Sequence, residues 1–431
     1  MVNLAGLARA VVCAVLCTAA LAHAQRPPGE PETLEQAWAA ALAASARLDA
    51  ARWEHAAASA DLDAAYAQRR PQLMVDSQLG MLSDNPSFLT PGGKFAFQQQ
   101  EVLRGGASLR IPLDAAGDIA RNIDAAASGV ASANFDLQRQ HLEIKRDVAM
   151  AYLRILRLAR HVDVARERLK HVSAHMVETR TLFEQGRSPR NDLLAVEVKH
   201  SEAEFARLES ENELAIARHA YNRQLFRPLD TPIWLSPLEP DRRPFDAQVL
   251  TKIALQRRPE LAYFQAKADE LDNQAAVVSA RRKPHLYLDG GWRYDQNRYA
   301  SPNGIASANL ISSWTPFDGG RAERESAALR ARASSMRRLG DDVATQIGLQ
   351  VRTCVVNHQQ SLRQLEVARR SVAQAEENLR VVRLQYQHGQ ANSTDVLDAV
   401  AWRAEAHLRP QDALFDTIQW AIYAQYTAGD R

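Results

Sequence analysis

Twelve residues spaced seven apart, in two sets of six, set the strongest limit on how this chain can fold. Val148, Ile155, Val162, Leu169, Met176 and Phe183 form the first set, and Val351, His358, Leu365, Val372, Leu379 and Tyr386 the second. Each member of the second lies 203 residues after its counterpart, and only His358 breaks the apolar character. A strict period of seven marks a coiled-coil seam, which is narrower than the stripe of an ordinary amphipathic helix. From Asp118 to Phe183 there is no proline and one glycine, Gly129. A helix that long would extend about 100 Å at a rise of about 1.5 Å per residue. It cannot pack on itself, so shorter helices on either side must cover it.

The same offset aligns two turn sequences. Phe183-Glu-Gln-Gly-Arg-Ser-Pro-Arg-Asn-Asp-Leu-Leu-Ala195 falls on Tyr386-Gln-His-Gly-Gln-Ala-Asn-Ser-Thr-Asp-Val-Leu-Asp398. Gly186 falls on Gly389, Asp192 on Asp395 and Leu194 on Leu397. Each reads as a tight tip between two long helices. Glycine ends the incoming helix, and Ser188-Pro189 in one copy or Asn392 or Ser393 in the other caps the outgoing one. The chain is a duplicated helical hairpin, with a first repeat over 25–247 and a second over 248–431.

Each hairpin is preceded by a helical stretch and a pair of strands. Residues 33–70 carry a helical pattern ended by Pro71; Leu250 to Arg282 match it in the second half. In 72–81, Leu73, Val75, Leu79 and Met81 alternate with Gln72, Asp76 and Gln78, which predicts a strand with one apolar face. A Pro-, Gly- and Asn-bearing loop (82–94) leads to a strand ending at Ile111, with Ala107, Leu109 and Ile111 opposed to Ser108 and Arg110. In the second half, 284–294 places Leu286, Leu288, Trp292 and Tyr294 on one face, and 306–315 follows. Trp292 and Tyr294 suit a membrane interface belt. The first strand pair is about nine residues longer, and the excess falls in its loop. A linker with Pro228, Pro232, Pro237, Pro240 and Pro244 joins the halves. Pro410 falls within the second return helix, where a kink is expected.

Arg9, the apolar run from Ala10 to Ala22 and Ala22-His23-Ala24 read as a secretory signal over 1–24, leaving Gln25 first. Val12 and Leu16 precede Cys13 and Cys17 where a lipoprotein signal needs a small residue, so no lipid anchor is expected. Only Cys354 survives cleavage, so packing and assembly must hold the exported chain. Positive and negative charges nearly balance, 53 against 51, which gives no basic excess for nucleic acid. There is no P-loop, dinucleotide turn or nucleophile elbow, and no enzyme, cofactor or metal site is expected. His171 and His175 have the spacing of a metal pair, but no third ligand is near and a solvated face is expected.

Four strands cannot close a barrel, and lipid tolerates no bare strand edge. Three chains would supply twelve strands, an allowed number. The fold class is therefore mainly α with a small β part: duplicated coiled-coil hairpins plus four transmembrane strands per chain, closing as a 12-stranded barrel in a trimer. The rival, a non-conducting periplasmic coiled-coil scaffold, has no need of amphipathic strands.

Arg258-Pro-Glu-Leu261, Pro316-Phe-Asp-Gly-Gly320 and the Tyr386…Gly389…Asp395-Val-Leu-Asp398 tip occur in that order. With them the chain resembles the outer-membrane efflux protein family, the TolC-like channels of Gram-negative bacteria, over 33–427. The resemblance implies a homotrimer in outer-membrane lipid, a periplasmic tunnel, and docking to a periplasmic adaptor and an inner-membrane transporter of RND or ABC type. Drug or metal-ion efflux is the implied task, with type I protein secretion as the alternative. The first copy departs from the pattern with Ser45-Ala-Arg-Leu48, and Ala391 stands where a basic residue is expected between Gly389 and Asp395. Arg187 and Arg190 are the candidates to replace that residue. Tyr386 continues the seam and can tie neighbouring helices through its hydroxyl. Asp395 and Asp398 lie in a first helical turn, where carboxylates complement the dipole. Around a threefold axis they would form stacked carboxylate rings, with Asp192 the first-copy equivalent.

Overall fold

The computed structural model describes residues 31–429; the signal segment expected over 1–24 lies outside them. Helices α1 (Leu34–Ala44) and α2 (Ala46–Ala67) precede strands β1 (Gln72–Met81), β2 (Ser87–Thr90), β3 (Gly93–Ala96) and β4 (Glu101–Leu113). Helices α3 (Asp118–Glu184) and α4 (Arg190–Gln224) complete the first half. The second half runs α5 (Ala247–Arg257), α6 (Pro259–Ala280), β5 (His285–Asp295), β6 (Gly304–Ser313), α7 (Arg321–Gln387) and α8 (Ser393–Thr427). Both long helices have 67 residues and both return helices 35.

Two sequence expectations need correction, while Pro410 falls within the second return helix as expected. The helical stretch before each strand pair is two helices. Ser45 breaks the first, its hydroxyl accepting from Leu48 N–H at 3.3 Å. Arg258 breaks the second: it precedes Pro259, which pushes it out of helical geometry (φ −67°, ψ 120°) and starts α6. The loop of 82–94 is not irregular; Pro91-Gly92 turns the separate hairpin β2–β3, which absorbs the extra residues. Pro410 lies inside α8 without ending it.

Contacts divide the chain into two units, each drawing on both halves of the sequence. The first comprises the chain up to Ala44, Lys145–Arg242 and Gln360–Gln419. Its core joins α3, α4, α7 and α8 through Val172, Val196, Ala203, Leu379, Leu397, Ala399 and Val400, with Leu169 and Met176 packed against them. The segment before α1 is anchored there too. Glu32 is buried, accepts from Arg227 and from the Tyr221 hydroxyl (3.2 Å), and its backbone pairs with Trp234 and Ser236. The Tyr152 hydroxyl donates to the Glu32 carbonyl at 2.6 Å.

The second unit comprises Ser45–Ile144, Arg243–Gln359 and the chain from Trp420. Ala254, Ile347 and Val351 form a cluster joining α5 to α7. Cys354 is buried and donates to the Trp420 carbonyl at 2.9 Å; burial pushes its thiol up to about 12. Asp114 and Asp318, the aspartates of the two Pro-x-Asp turns, cap the long helices. Asp114 accepts from Ile119 and Ala120 N–H, and Asp318 from Gly320 and Ala322 N–H.

This unit also carries the sheet, antiparallel in the order β1-β4-β5-β6. Register aligns Leu73 with Leu109, Val75 with Ala107, Ala107 with Trp292, Leu288 with Leu310, and Trp292 with Ala306. Those rows make one apolar face. It is exposed: Leu79 is 82% accessible, Val75 73% and Leu310 66%. The opposite face carries Gln72, Asp76, Gln78, Arg104, Ser108, Arg110, Asp289, Arg293, Asp295 and Asn309, with Met74, Val102, Ile305 and Ile311 among its apolar exceptions. A side chain at Gly291 would begin 2.5 Å from the Ala107 carbonyl oxygen, so glycine lets β4 and β5 approach there. Among the described residues of the single chain, β1 and β6 are bare edges.

Candidate functional site

The two tips are built alike. At the first, Gly186 takes φ 73°, its N–H donates to Phe183 O (2.9 Å), and Arg187 N–H donates to Leu182 O (2.8 Å). At the second, Gly389 takes φ 72°, with Gly389 N–H to Tyr386 O (3.0 Å) and Gln390 N–H to Gln385 O (2.8 Å). This pair of bonds closes a helix through a left-handed residue, a backbone conformation that glycine adopts without strain.

The outgoing helices start differently. Asn392 and Asp395 form a reciprocal cap: Asp395 N–H donates to Asn392 Oδ1 (2.8 Å), and Asn392 N–H donates to Asp395 Oδ2 (2.9 Å). Asp398, one turn on, is exposed and takes no part in that cap. At the first tip, Pro189 holds the cap position with no side-chain bond, and the Ser188 hydroxyl has no partner among the described residues. The expected Ser188 cap is thus absent, because Pro189 moves the hydroxyl one residue too early. Asp192 accepts from the Asn191 amide at 3.1 Å; Arg187 and Arg190 are exposed.

Behind the tips lies a buried polar cluster that joins the hairpins. The Tyr386 hydroxyl meets Thr179 Oγ1 at 3.1 Å, so this hydroxyl does tie neighbouring helices. His175 Nε2 lies 2.9 Å from Ser393 Oγ, and its ring stands edge-on to Tyr386 with centroids 4.9 Å apart. Ser393 therefore serves His175 while Asn392 caps the helix. His175 is only 1% exposed, which overturns the expected solvated face. The packing of α3, α7 and α8 buries the ring, and nothing in the i, i+4 spacing signals this. Burial holds the His175 imidazole below its ordinary pKa; the carboxylate of Glu178, 3.9 Å from Nδ1, pulls the other way. His171 Nδ1 is 3.0 Å from Arg383, and Gln387 donates to Glu178 at 3.1 Å. His171 is also held low, by burial and then by Arg403 and Arg383.

Among the described residues, no group of three or more His, Cys, Asp or Glu side chains could hold a metal ion. No described helix is long and apolar enough to cross a membrane. The face that could meet lipid is the exposed apolar face of the sheet.

Comparison with known proteins agrees with this architecture. No curated protein matches the chain in sequence. Among solved structures, the outer membrane protein VceC from Vibrio cholerae superposes with a TM-score of 0.80 at 17% identity, covering 92% of this chain and 96% of VceC. The CmeC outer membrane channel of Campylobacter jejuni gives 0.80 at 14% identity, covering 92% and 85%. The open state of the MtrE outer membrane channel of Neisseria gonorrhoeae gives 0.73 at 16%, covering 92% and 88%. At these identities the likeness is one of fold. The family model for outer membrane efflux proteins matches residues 38–222 and 250–409, most of the chain, so the chain belongs to the outer membrane efflux protein family.

Proposed function

We propose that this chain is the outer-membrane exit duct of a tripartite efflux pump, passing substrates from an inner-membrane transporter and a periplasmic adaptor across the periplasm and outer membrane. The observation that carries the reading is the sheet. One face is apolar and exposed across all four strands, the other is polar, and both edges are bare. Such a sheet suits lipid on one side and a water-filled lumen on the other, once copies of the chain complete it. A scaffold that only spans the periplasm needs none of this.

In this reading, residues 1–24 are a cleaved signal, 25–247 and 248–431 are two structural repeats, and three unlipidated chains close a 12-stranded barrel. The tips form the periplasmic gate. Asp395 and Asp398 supply carboxylate rings, Asp192 adds a carboxylate, and Arg187 and Arg190 provide the basic partners that Ala391 cannot. The exposure of Asp395, Asp398, Arg187 and Arg190 supports that reading.

The test is purification from the outer-membrane fraction, light scattering of the detergent-solubilised protein, and recording in planar bilayers. A trimer with a low-conductance state blocked by divalent cations is expected. Asp398→Ala should weaken the block without disturbing the Asn392–Asp395 cap. A soluble periplasmic monomer would sink the proposal.

A further inference from the structure

The polar face of the sheet carries its formal charges in a pattern. Leaving aside His285, which lies at the end of β5, 3.5 Å from Asp118, its strands hold three arginines and three aspartates. They fall in three cross-strand rows. Arg104 is aligned with Asp295 and bonded to it at 2.9 Å. Arg110 is aligned with Asp289 and bonded to it at 3.1 Å. Between them, Asp76 and Arg293 flank Gly106 in a single row. A side chain built at Gly106 would lie 3.5 Å from Asp76 Oδ1 and 3.6 Å from Arg293 Cα, so the absent side chain leaves a gap between the two charges. Every row has one charge of each sign. Glu101, the other carboxylate of these strands, shares its face with Leu103.

We infer that the barrel lining is neutral row by row, so that the outer-membrane part of the duct does not sort cargo by charge. The inference rests on the proposed reading in which this face lines the pore. Selectivity in pores comes from rings of one sign. A threefold assembly of these rows would give three rings, each with three arginines and three aspartates. Neighbouring charges of opposite sign cancel within a Debye length, about 8 Å at physiological ionic strength. Charge discrimination is then left to the tips, where Asp395 and Asp398 stand exposed.

The test places a thiol among the rows. Ser307 is exposed on β6 and aligned with Gly291, between the Gly106 row and the Arg110 row. Ser307→Cys cells are treated with membrane-impermeant methanethiosulfonates, one anionic and one cationic. The parent chain, whose Cys354 is buried, serves as background. The ratio of the two labelling rates, divided by that for a free small thiol, reports the local potential. A potential of about 1 kT would change it about sevenfold. A ratio near one supports the inference. Adding Asp76→Asn, Asp289→Asn and Asp295→Asn should shift the ratio towards the anionic reagent, and exchanging the pair (Arg110→Asp with Asp289→Arg) should not. Asp76→Asn alone, which breaks neither salt bridge, should give a smaller shift of the same sign if the triple variant fails to assemble. A sevenfold departure in Ser307→Cys itself, or no response to the lost aspartates, overturns the neutral lining. No labelling by either reagent would instead overturn the channel reading, since the face would then line no water.

Discussion

The bond between Tyr386 and Thr179 allows a sharp test of how the hairpins are held together. Both residues are buried, Thr179 at 0% and Tyr386 at 7% exposure. Removing one hydroxyl strands the other. A buried polar group left without its partner costs about 1–3 kcal/mol, whereas removing both partners is nearly neutral. The two single variants should differ. After Tyr386→Phe, the threonine hydroxyl can turn back to a carbonyl one helical turn earlier, as helical threonines do. After Thr179→Val, the tyrosine hydroxyl has no such local acceptor. Tyr386→Phe should therefore fall near the low end of the range and Thr179→Val near the high end. The double variant should cost less than the sum. A membrane trimer need not unfold in two states, so the readout should be local. Amide hydrogen exchange over the last turns of α7 reports opening of that segment. At about 1.4 kcal/mol per factor of ten, exchange should speed up about 5- to 140-fold in the single variants. Additive effects in the double variant would refute the coupling.

Acidification should loosen the same contact. The His175 pKa is held below its ordinary 6.5 by burial, so the opened form takes the proton first as pH falls through about 6.5, and the closed contact loses stability from there downward. The groups facing the ring are Glu178 on α3, Arg383 and Tyr386 on α7, and Ser393 on α8. Exchange corrected for its intrinsic pH dependence should rise at acid pH, and His175→Gln should reduce that rise, leaving the share of His171. Val148→Asp and Val351→Asp, each at a 0% exposed seam position, should cost on the order of several kcal/mol and lower trimer yield; full yield from both would refute the seams. Gly291→Ala should disturb β4–β5 pairing, since the methyl carbon would start 2.5 Å from a carbonyl oxygen; an unchanged thermal midpoint would refute that crowding. Glu32→Gln should lower the thermal midpoint by uncoupling Arg227 and Tyr221, at about 1–3 kcal/mol given the partial exposure of Arg227.

The long helices, the tips and the apolar strand faces were legible because each rests on a period: seven for the seams, two for the strands, 203 for the duplication. Where a single residue decides the structure, the reading failed or stopped short. Pro259 marks the break at Arg258, and Pro71 and Pro284, the prolines that end the two helical stretches, lie 213 residues apart, the same spacing that separates Ser45 from Arg258. Pro112-Leu-Asp114 and Pro316-Phe-Asp318 repeat in the sequence, but their capping bonds depend on the turn geometry that follows each aspartate. Pro91-Gly92 between Ser87–Thr90 and Gly93–Ala96 is a hairpin signal masked by the Pro-, Gly- and Asn-bearing composition around it. His175 was beyond reach: its burial depends on α8 delivering Ser393 to α3 from 218 residues away, and helical spacing alone cannot foresee such a partner.

The two bare edges of the sheet belong to different strands, β1 and β6, so a closed ring of three copies, as proposed, must join them head to tail. The joint between two copies then uses one surface from each, and every copy must offer both. A copy with a sound β1 and a spoiled β6, for example through a proline whose missing N–H faces the edge, would still enter a growing ring but could not pass it on. In a cell making sound and spoiled copies equally, about one three-membered ring in eight would be free of the fault. An edge lesion should therefore behave as a dominant allele, sensitising cells that still carry an intact gene. A lesion that destroys the whole fold should be recessive.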